Sequence, residues 1–281
     1  MIVDFHVHST ASDGTVAPRE LAAMAARGGF DALALTDHDN CDGVGEFLDA
    51  EPQVRKVAGV ELSIEPGEGF DRFHLLGLGV DPENAALKDF LKRILDGRNA
   101  RNARIFENFH RLGIDIRPEP HGEVLARPHF ARWLIDNGYA SSVPEAFEKY
   151  LYPDSPAATR CYEKRYHPSQ EEAFRVVHGA GGICVMAHPK FWRKEWKTVG
   201  CDYVAAEREL ARHKEAGLDG LETYYLANTI EENIGFLRIA EKLGFLKSAG
   251  SDFHGANKPT ISLGMQVSES FIAPLLERLF S

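Results

Sequence analysis

The chain has 281 residues, of which 44% are hydrophobic and 26% charged, so it can bury a large core and has a globular composition. Its formal net charge of −10 argues against loose, sequence-independent binding to long duplex DNA, although a local basic pocket stays possible. The four cysteines include no C-x-x-C pair, which argues against a disulfide framework and favours a reducing compartment. Without a signal sequence or a membrane-spanning apolar run, a cytoplasmic protein is expected.

Seven short apolar runs alternate with longer amphipathic stretches and are predicted to be strands. In chain order the runs are 2–5, 32–35, 57–62, 73–78, 183–187, 220–223 and 247–249. Helices are predicted at 18–27, 170–177, 204–216 and 230–243. Strands that alternate with helices predict parallel pairing in a barrel or a doubly wound sheet.

This alternation is interrupted between about residues 82 and 169, where the sequence contains no convincing strand. One or two helices are predicted within 83–112, another at 129–137 and a third at 143–150. Residues 82–169 are therefore predicted to form a mostly helical insertion, a substrate cap, between the fourth and fifth strands. Residues 1–81 and 170–281 are predicted to form the barrel.

Histidine and carboxylate side chains fall where the predicted strands end. His6 and His8 close the first strand, and a spacing of two places both side chains on one face of an extended chain. The other members of the set are Asp13 in the next loop, His38 after the second strand, Glu61 in the third, His74 in the fourth, His188 after the fifth, and Asp252 and His254 after the last. The carboxyl ends of parallel strands converge on one face of a barrel, so these side chains are expected to meet.

His74 is the awkward member of this set because it comes early in its strand. Its strand must be short, shifted or reversed if the side chain is to join the others. Any one histidine near a strand end is more often an ordinary hydrogen-bonded residue than a ligand. The set as a whole indicates metal binding, since burying so many polar groups without strong partners is costly.

The ligand types limit the metal and its chemistry. Imidazole and carboxylate without thiolate favour Mn, Fe or Zn over Ca or Mg. Nine ligands are too many for one ion, so two or three ions that share a bridging carboxylate are expected. Such ions would lower the pKa of a shared water and stabilise the charge that develops when a phosphate ester is attacked.

Taken in order, these residues resemble the motifs of the polymerase and histidinol phosphatase (PHP) superfamily across nearly the whole chain. The matching motifs are His6-Val7-His8-Ser9, Ser12-Asp13-Gly14, Leu35-Thr36-Asp37-His38-Asp39, Gly59-Val60-Glu61, Ala187-His188-Pro189 and Gly250-Ser251-Asp252-Phe253-His254. The resemblance implies a metal-dependent phosphoesterase with a distorted (β/α)7 barrel. It also implies two or three divalent ions, first of all manganese, with iron or zinc as alternatives.

The resemblance further implies a role for each residue. Ligands are implied to be His6, His8, Glu61 and Asp252 for one ion, Asp13, His38 and His254 for a second, and His74 and His188 with bridging Glu61 for a third. Asp37 is implied to orient a histidine from outside the ligand set. The expected nucleophile is a metal-bound hydroxide held by Glu61, Asp252 and His254.

Within the superfamily, a short barrel with a helical insertion most resembles the bacterial nucleoside 3′,5′-bisphosphate phosphatases, some relatives of which cut short RNA from the 5′ end. A bisphosphate requires a second anion site, and the bidentate fork of arginine suits one. The predicted substrate-binding residues, all in the insertion, are Arg101, Asn102, Arg104, Arg127, His129, Arg160 and Lys164. Phe191 and Trp192 are expected either to stack on a base or to pack in the core.

Three alternatives remain open at the level of sequence. Histidinol phosphate hydrolysis would require an acidic contact for the substrate amine rather than an arginine-rich insertion. Amide or ring hydrolysis in related barrels uses a modified lysine between the metals, for which there is no obvious candidate. A metal- or nucleotide-binding protein without turnover is the third alternative. The expected partner is a small nucleotide bisphosphate or a short RNA end, with no membrane and no long duplex DNA.

Overall fold

The computed structural model of the protein describes residues 1–51, 53–65, 67, 72–119, 125–192, 196 and 200–281. They form two compact units, one made of Met1–Leu91 with His167–Ser281 and the other of Lys92–Tyr166. All the strands belong to the first unit, whereas the described part of the second unit is helical and irregular. The assignment of 82–169 as a substrate cap stays a prediction.

Eight strands form one sheet in the first unit. They are β1 (Ile2–Asp4), β2 (Ala32–Leu35), β3 (Arg55–Ile64), β4 (Phe73–Leu78), β5 (Ile183–Met186), β6 (Gly220–Tyr225), β7 (Leu246–Gly250) and β8 (Met265–Gln266). Their spatial order is β7-β6-β5-β4-β3-β2-β1-β8. Beyond β1 and β7 the backbone closes the sheet on itself, because the Phe5 N–H donates to the Ala249 carbonyl at 3.0 Å. The predicted α/β barrel is thus confirmed as a nearly closed sheet.

The helices fill the connections between these strands. They are α1 (Pro18–Arg27), α2 (Val44–Asp49), α3 (Ala85–Arg111), α4 (Arg127–Asp136), α5 (Val143–Ala146), α6 (Gln170–Gly179), α7 (Tyr203–Glu215), α8 (Ile230–Leu243) and α9 (Glu269–Phe280). α5 continues as a π-helical turn over Phe147–Leu151. Within the described ranges, none of the helices is both long and apolar enough to cross a membrane.

The direction of β4 determines where His74 lies. β4 is antiparallel to both of its neighbours, with His74 opposite Ser63 of β3 and Leu76 opposite Val185 of β5. The β1–β2, β2–β3, β5–β6 and β6–β7 pairs are parallel. The start of β4 therefore lies at the barrel end where the parallel strands finish. Of the three alternatives for this strand, the reversed one is correct.

Each unit has an apolar core of its own. In the barrel, Val3, Phe5 and Val185 from the strands pack with Phe271 and Ile272 of α9. Full burial of one such side chain stabilises the fold by about 1.5–3 kcal/mol. The cluster in the second unit includes Ile105, Phe109, Phe130, Leu134 and Leu151. Polar groups at the strand ends are thus held on a rigid, well-packed scaffold.

Candidate metal centre

The structure brings all nine predicted ligand residues together at one end of the barrel, with Glu61 at the centre. Glu61 Oε1 lies 2.8 Å from His74 Nδ1, 3.2 Å from His188 Nε2 and 3.3 Å from His6 Nε2. Its other oxygen, Oε2, lies 2.9 Å from His38 Nδ1 and 3.3 Å from His8 Nε2. One carboxylate with imidazoles on both oxygens has the arrangement that a bridging ligand requires.

Two aspartates complete the cluster on either side of His8. Asp252 Oδ1 lies 3.4 Å from His8 Nε2 and 3.6 Å from His6 Nε2. Asp13 Oδ1 lies 3.2 Å from His254 Nε2 and 3.8 Å from His8 Nδ1. The turn pair Asp13-Gly14 therefore contributes a carboxylate to the cluster as well as a change of chain direction.

The clustered residues form four overlapping groups at this end of the barrel. Within each group, all the ligand atoms lie within 4.8 Å of one another. The groups are His8, Asp13, His38 and His254; His6, His8 and Glu61; His6, His188 and Asp252; and His38, Glu61 and His74. They differ from the sets that the family resemblance implies, since His188 groups with Asp252 and His8 joins the Asp13 group. The assignment of each residue to an individual ion stays a prediction.

Buried polar atoms without hydrogen-bond partners among the described residues show whether this cluster fits metal ions. His6 Nε2, both ring nitrogens of His8 and Glu61 Oε2 are buried, and none of the described residues forms a hydrogen bond with them. Such atoms are rare in folded proteins because losing water without a replacement costs about 1–3 kcal/mol each. All four are of the types that coordinate divalent cations, so the residues fit the metals.

The electrostatics of the cluster also fit cations. Burial alone would raise the pKa of Glu61, but the charges of His38, His74 and His6 outweigh it and hold this pKa well below its usual range. Burial alone would lower the pKa of His8, but contacts with Asp252 and Glu61 raise it to about 9. The carboxylates thus attract positive charge strongly. A metal ion bound by the imidazoles would take the place of protons on their ring nitrogens.

Two of the clustered residues have strained backbones. His188 has a φ of 29° and Asp252 a φ of 60°, in the left-handed region that favours glycine. Such strain costs about 1–3 kcal/mol per residue and persists only where the surroundings enforce it. The Asp252 N–H donates to the His6 carbonyl at 2.9 Å, and the His188 N–H donates to Glu222 Oε2 at 2.6 Å.

Glu222 is a supporting residue that sequence reasoning missed. It is fully buried in β6, and its Oε1 lies 3.0 Å from His6 Nδ1. A carboxylate on the far nitrogen of a ligating histidine fixes the ring and its tautomer. Because its other oxygen binds the His188 backbone, Glu222 positions two of the clustered residues. The one available signal was a charged residue inside an apolar strand, Gly220-Leu221-Glu222.

Asp252 is oriented through its second oxygen. The Tyr225 hydroxyl donates to Oδ2 at 3.0 Å, and Lys258 Nζ lies 2.6 Å from the same atom. These contacts leave Oδ1 turned to His6 and His8. Tyr225 and Lys258 were also not predicted from the sequence.

Asp37 lies beside the cluster and acts on a turn of the backbone. It accepts hydrogen bonds from the Ser9 N–H at 2.8 Å, the Ser9 hydroxyl at 2.6 Å and the Ser12 hydroxyl at 2.5 Å. Its expected partner was a histidine ring. Asp37 instead holds the turn between His8 and Asp13, and so positions the cluster through the chain.

The predicted substrate-binding residues of the second unit fall into two kinds. Arg104 Nε lies 3.3 Å from Glu163 Oε2, and its Nη2 donates to the Lys164 carbonyl at 3.0 Å. Arg160 donates to the Pro153 carbonyl at 3.0 Å. Arg104 therefore has a carboxylate partner and Arg160 a backbone partner, while Lys164 is exposed.

The other four are more enclosed. Arg101, Asn102 and His129 are buried, at 3%, 4% and 8% exposure. Asn102 donates to the Leu125 carbonyl at 2.9 Å, and His129 Nδ1 accepts from the Ala126 N–H at 2.9 Å. Arg127 lies over the Phe147 ring at 5.7 Å.

The two aromatic residues after His188 have different environments. Trp192 is 3% exposed and packs edge-on against the rings of Trp196 and His213. It therefore belongs to the core, which was one of the two expectations. Phe191 is 36% exposed, with its ring 5.7 Å from that of His188.

Comparison with known proteins identifies the family to which the chain is similar. The PHP domain profile matches residues 4–126. A 3′,5′-nucleoside bisphosphate phosphatase of Chromobacterium violaceum is 33% identical over 260 residues, covering 90% of this chain and 87% of that protein. A 5′-3′ exoribonuclease of Haemophilus influenzae is 31% identical, covering 89% of both chains. A solved structure of an amidohydrolase from Chromobacterium violaceum, with bound sulfate and no metal, has a TM-score of 0.80 at 30% identity and covers 98% of this chain and 96% of that one.

A barrel with imidazoles and carboxylates at its strand ends, together with these relatives, defines a phosphoesterase that uses divalent metal ions. The chain belongs to the PHP domain family.

Proposed function

We propose that the protein removes the 3′-phosphate from nucleoside 3′,5′-bisphosphates, for example converting adenosine 3′,5′-bisphosphate to AMP and phosphate. The observation that carries the proposal is the Glu61 carboxylate with five imidazoles within 3.3 Å of its oxygens. The substrate is proposed by likeness to the relative from Chromobacterium violaceum. Manganese, as two or three ions, is the proposed cofactor, and the cytoplasm the proposed location.

The clustered residues have distinct parts in this proposal. Divalent ions bound there would supply an activated water and offset charge on the phosphate oxygens. Glu61 would hold ions through both of its oxygens and Asp252 through Oδ1. Glu222 would keep His6 Nε2 directed at the cluster by holding its Nδ1.

The reaction balances as a simple hydrolysis. The oxygen of water bonds to the phosphorus of the 3′-phosphate, and the bond from phosphorus to the 3′-oxygen breaks. The 3′-oxygen takes up a proton, so the products are a nucleoside 5′-monophosphate and inorganic phosphate.

A second candidate activity is 5′-to-3′ hydrolysis of short RNA, which the relative from Haemophilus influenzae favours. Histidinol phosphate hydrolysis is less favoured, because it would need an acidic contact for the substrate amine, whereas the predicted substrate-binding residues include the buried Arg101. Amide or ring hydrolysis is less favoured as well, because a carboxylate, Glu61, has the central position that a modified lysine has in those barrels.

A panel of substrates tests the proposal. Manganese-loaded protein of measured metal content is given adenosine 3′,5′-bisphosphate, AMP, histidinol phosphate and 5′-phosphorylated short RNA, and initial rates of product formation are compared. The bisphosphate should be hydrolysed most efficiently, and Glu61→Gln should abolish this activity. Faster turnover of histidinol phosphate, or full activity in Glu61→Gln, would contradict the proposal.

A further inference from the structure

Among the residues that the structure describes, Arg101 is a buried cation without a hydrogen-bonded counterion. The residue is 3% exposed, within the unit formed by Lys92–Tyr166. Its Nε and Nη2 atoms are buried and form no hydrogen bond with any residue that the structure describes. A guanidinium has five N–H donors in a fixed planar arrangement and stays protonated even when it is buried. An enclosed fork with open donors therefore indicates a missing acceptor.

The neighbours of Arg101 add positive charge. Burial, followed by the charges of Arg98, Arg127 and Arg165, lowers the pKa of Arg101 to about 9. All four arginines belong to the same compact unit.

Part of this cluster is fixed in place. The Arg127 guanidinium lies 5.7 Å from the centre of the Phe147 ring and 5.6 Å from that of Tyr162. Its Nη1 donates to the Leu151 carbonyl at 3.3 Å. A fixed guanidinium loses less side-chain entropy when it binds a ligand.

Arg104, one turn further along α3, provides a contrast. It faces solvent and is paired with the Glu163 carboxylate at 3.3 Å. The same helix thus satisfies one arginine with a protein carboxylate and leaves another, more deeply buried, with open donors.

We propose that Arg101, together with Arg98, Arg127 and Arg165, forms a binding site for a phosphate-like oxyanion. A tetrahedral dianion offers several acceptors to the open donors of the Arg101 fork, and the nearby guanidinium groups favour negative charge there. Two sources of this anion share the same chemistry. One is the phosphate that a bisphosphate substrate keeps, an assignment that rests on the proposed function; the other is free inorganic phosphate.

Binding of inorganic phosphate tests the site itself. Metal-stripped full-length protein is titrated calorimetrically with phosphate, and its melting temperature is recorded with and without the anion. Arg101→Met should weaken binding at least tenfold and abolish the thermal shift. Arg111→Met, at an exposed position of the same helix, should behave as the wild type. Equal phosphate binding by wild type and Arg101→Met would overturn the proposal.

Two further variants protect this test from a folding artefact. Without phosphate, Arg101→Met should melt no lower than the wild type, because the change removes an unpartnered buried charge. If Arg101→Met does not fold, Arg165→Met carries the same binding prediction. Arg101→Lys, which keeps the charge and loses the fork, should bind phosphate more weakly than the wild type. Wild-type affinity in both Arg165→Met and Arg101→Lys would overturn the site.

Kinetics identify the source of the anion. If the retained phosphate is the ligand, Arg101→Met should raise KM for adenosine 3′,5′-bisphosphate at least tenfold and leave hydrolysis of adenosine 3′-monophosphate unchanged. If phosphate binding is lost and both KM values stay constant, the site stands and its ligand is free phosphate. If the wild type binds phosphate through Arg101 without hydrolysing bisphosphates, the proposed function fails and the site stands.

Discussion

At the scale of single residues, Glu222 is the support on which two clustered residues depend. One of its oxygens lies 3.0 Å from His6 Nδ1 and the other accepts the backbone N–H of His188. Because His188 has a φ of 29°, this contact also offsets local backbone strain. Glu222 thus links His6, which follows β1, to His188, which follows β5.

Glu222→Gln should weaken metal binding without unfolding the protein. The amide keeps the volume and one acceptor but loses the charge that holds the His6 ring, so we expect about a 10- to 100-fold loss in manganese affinity or activity. Calorimetric titration with manganese, together with measured metal content, checks this result. Glu215→Gln, at an exposed position of α7, is the matched control. Wild-type affinity in Glu222→Gln would contradict the role.

His213 provides a prediction about pH and stability. Burial beside Trp192 and Phe73 lowers its pKa to about 4 from an ordinary value of 6.5. Between these values the unfolded chain binds a proton that the folded chain does not. This contribution to stability is complete above pH 6.5 and is lost as the pH falls towards 4, by up to about 3 kcal/mol.

Urea unfolding at pH 7 and pH 5 measures this contribution. Between pH 7 and pH 5, the free energy of unfolding should fall by about 2 kcal/mol more in the wild type than in His213→Gln. The reason is that each pH unit below 6.5 contributes about 1.36 kcal/mol, and pH 5 lies about 1.5 units below that value. Using the difference between the two proteins removes the effect of the other titrating groups. An equal loss in both proteins would assign the pH dependence to other residues.

Sequence spacing predicted which side chains gather, but not all of their supports. His6 and His8 could be placed on one face because alternation along a strand is strict. Glu222 could not be paired with His6, since the two lie 216 residues apart and only the closed barrel brings them together. The three-residue spacing of Arg98, Arg101 and Arg104 predicts that they lie on a related flank of one helix. Each three-residue step rotates the side chain by about 60° relative to the last, so Arg104 reaches solvent while Arg98 and Arg101 are buried.

At the scale of elements, the close approach of β7 to β1 depends on Gly250. A Cβ at this position would lie 2.2 Å from Glu222 Oε1 and 2.5 Å from His6 Cβ, so both side chains would have to move. The last residue of β7 therefore limits the space around the Glu222–His6 pair.

Gly250→Ala should disturb both stability and metal binding. We expect a loss of about 1–3 kcal/mol from overpacking, together with weaker manganese binding as His6 is displaced. Thermal unfolding and metal titration measure the two effects. Gly179→Ala, at the end of α6, is the control because its Cβ would have no atom within 4 Å. Unchanged metal affinity in Gly250→Ala would show that the Glu222–His6 geometry is less constrained than proposed.

The elements also show where pattern reasoning fails. A short apolar run marks β4 as a strand but carries no information about its direction, so the position of His74 follows only from its pairing with Ser63. The strand β8 has two residues and α2 has six, too few for a periodicity to appear. Both were absent from the predicted elements.

At the scale of the whole molecule, the alternation of strands and helices predicted the barrel because parallel pairing and local order together restrict the topology. The chemistry lies at one end of that barrel, where the antiparallel β4 contributes its first residues and the parallel strands their last. The buried Arg98 and Arg101 belong to the unit Lys92–Tyr166. Their burial depends on tertiary packing and could not be derived from charge spacing alone.

The central claim is that the 3′-phosphate, and no other group, is removed from a nucleoside 3′,5′-bisphosphate. Phosphorus-31 NMR of adenosine 3′,5′-bisphosphate incubated with manganese-loaded protein tests this claim directly, because the 3′- and 5′-phosphates have distinct resonances. The 3′ resonance should disappear as inorganic phosphate and AMP accumulate, while the 5′ resonance persists. Loss of the 5′ resonance first, or no change with fully metal-loaded protein, would contradict it.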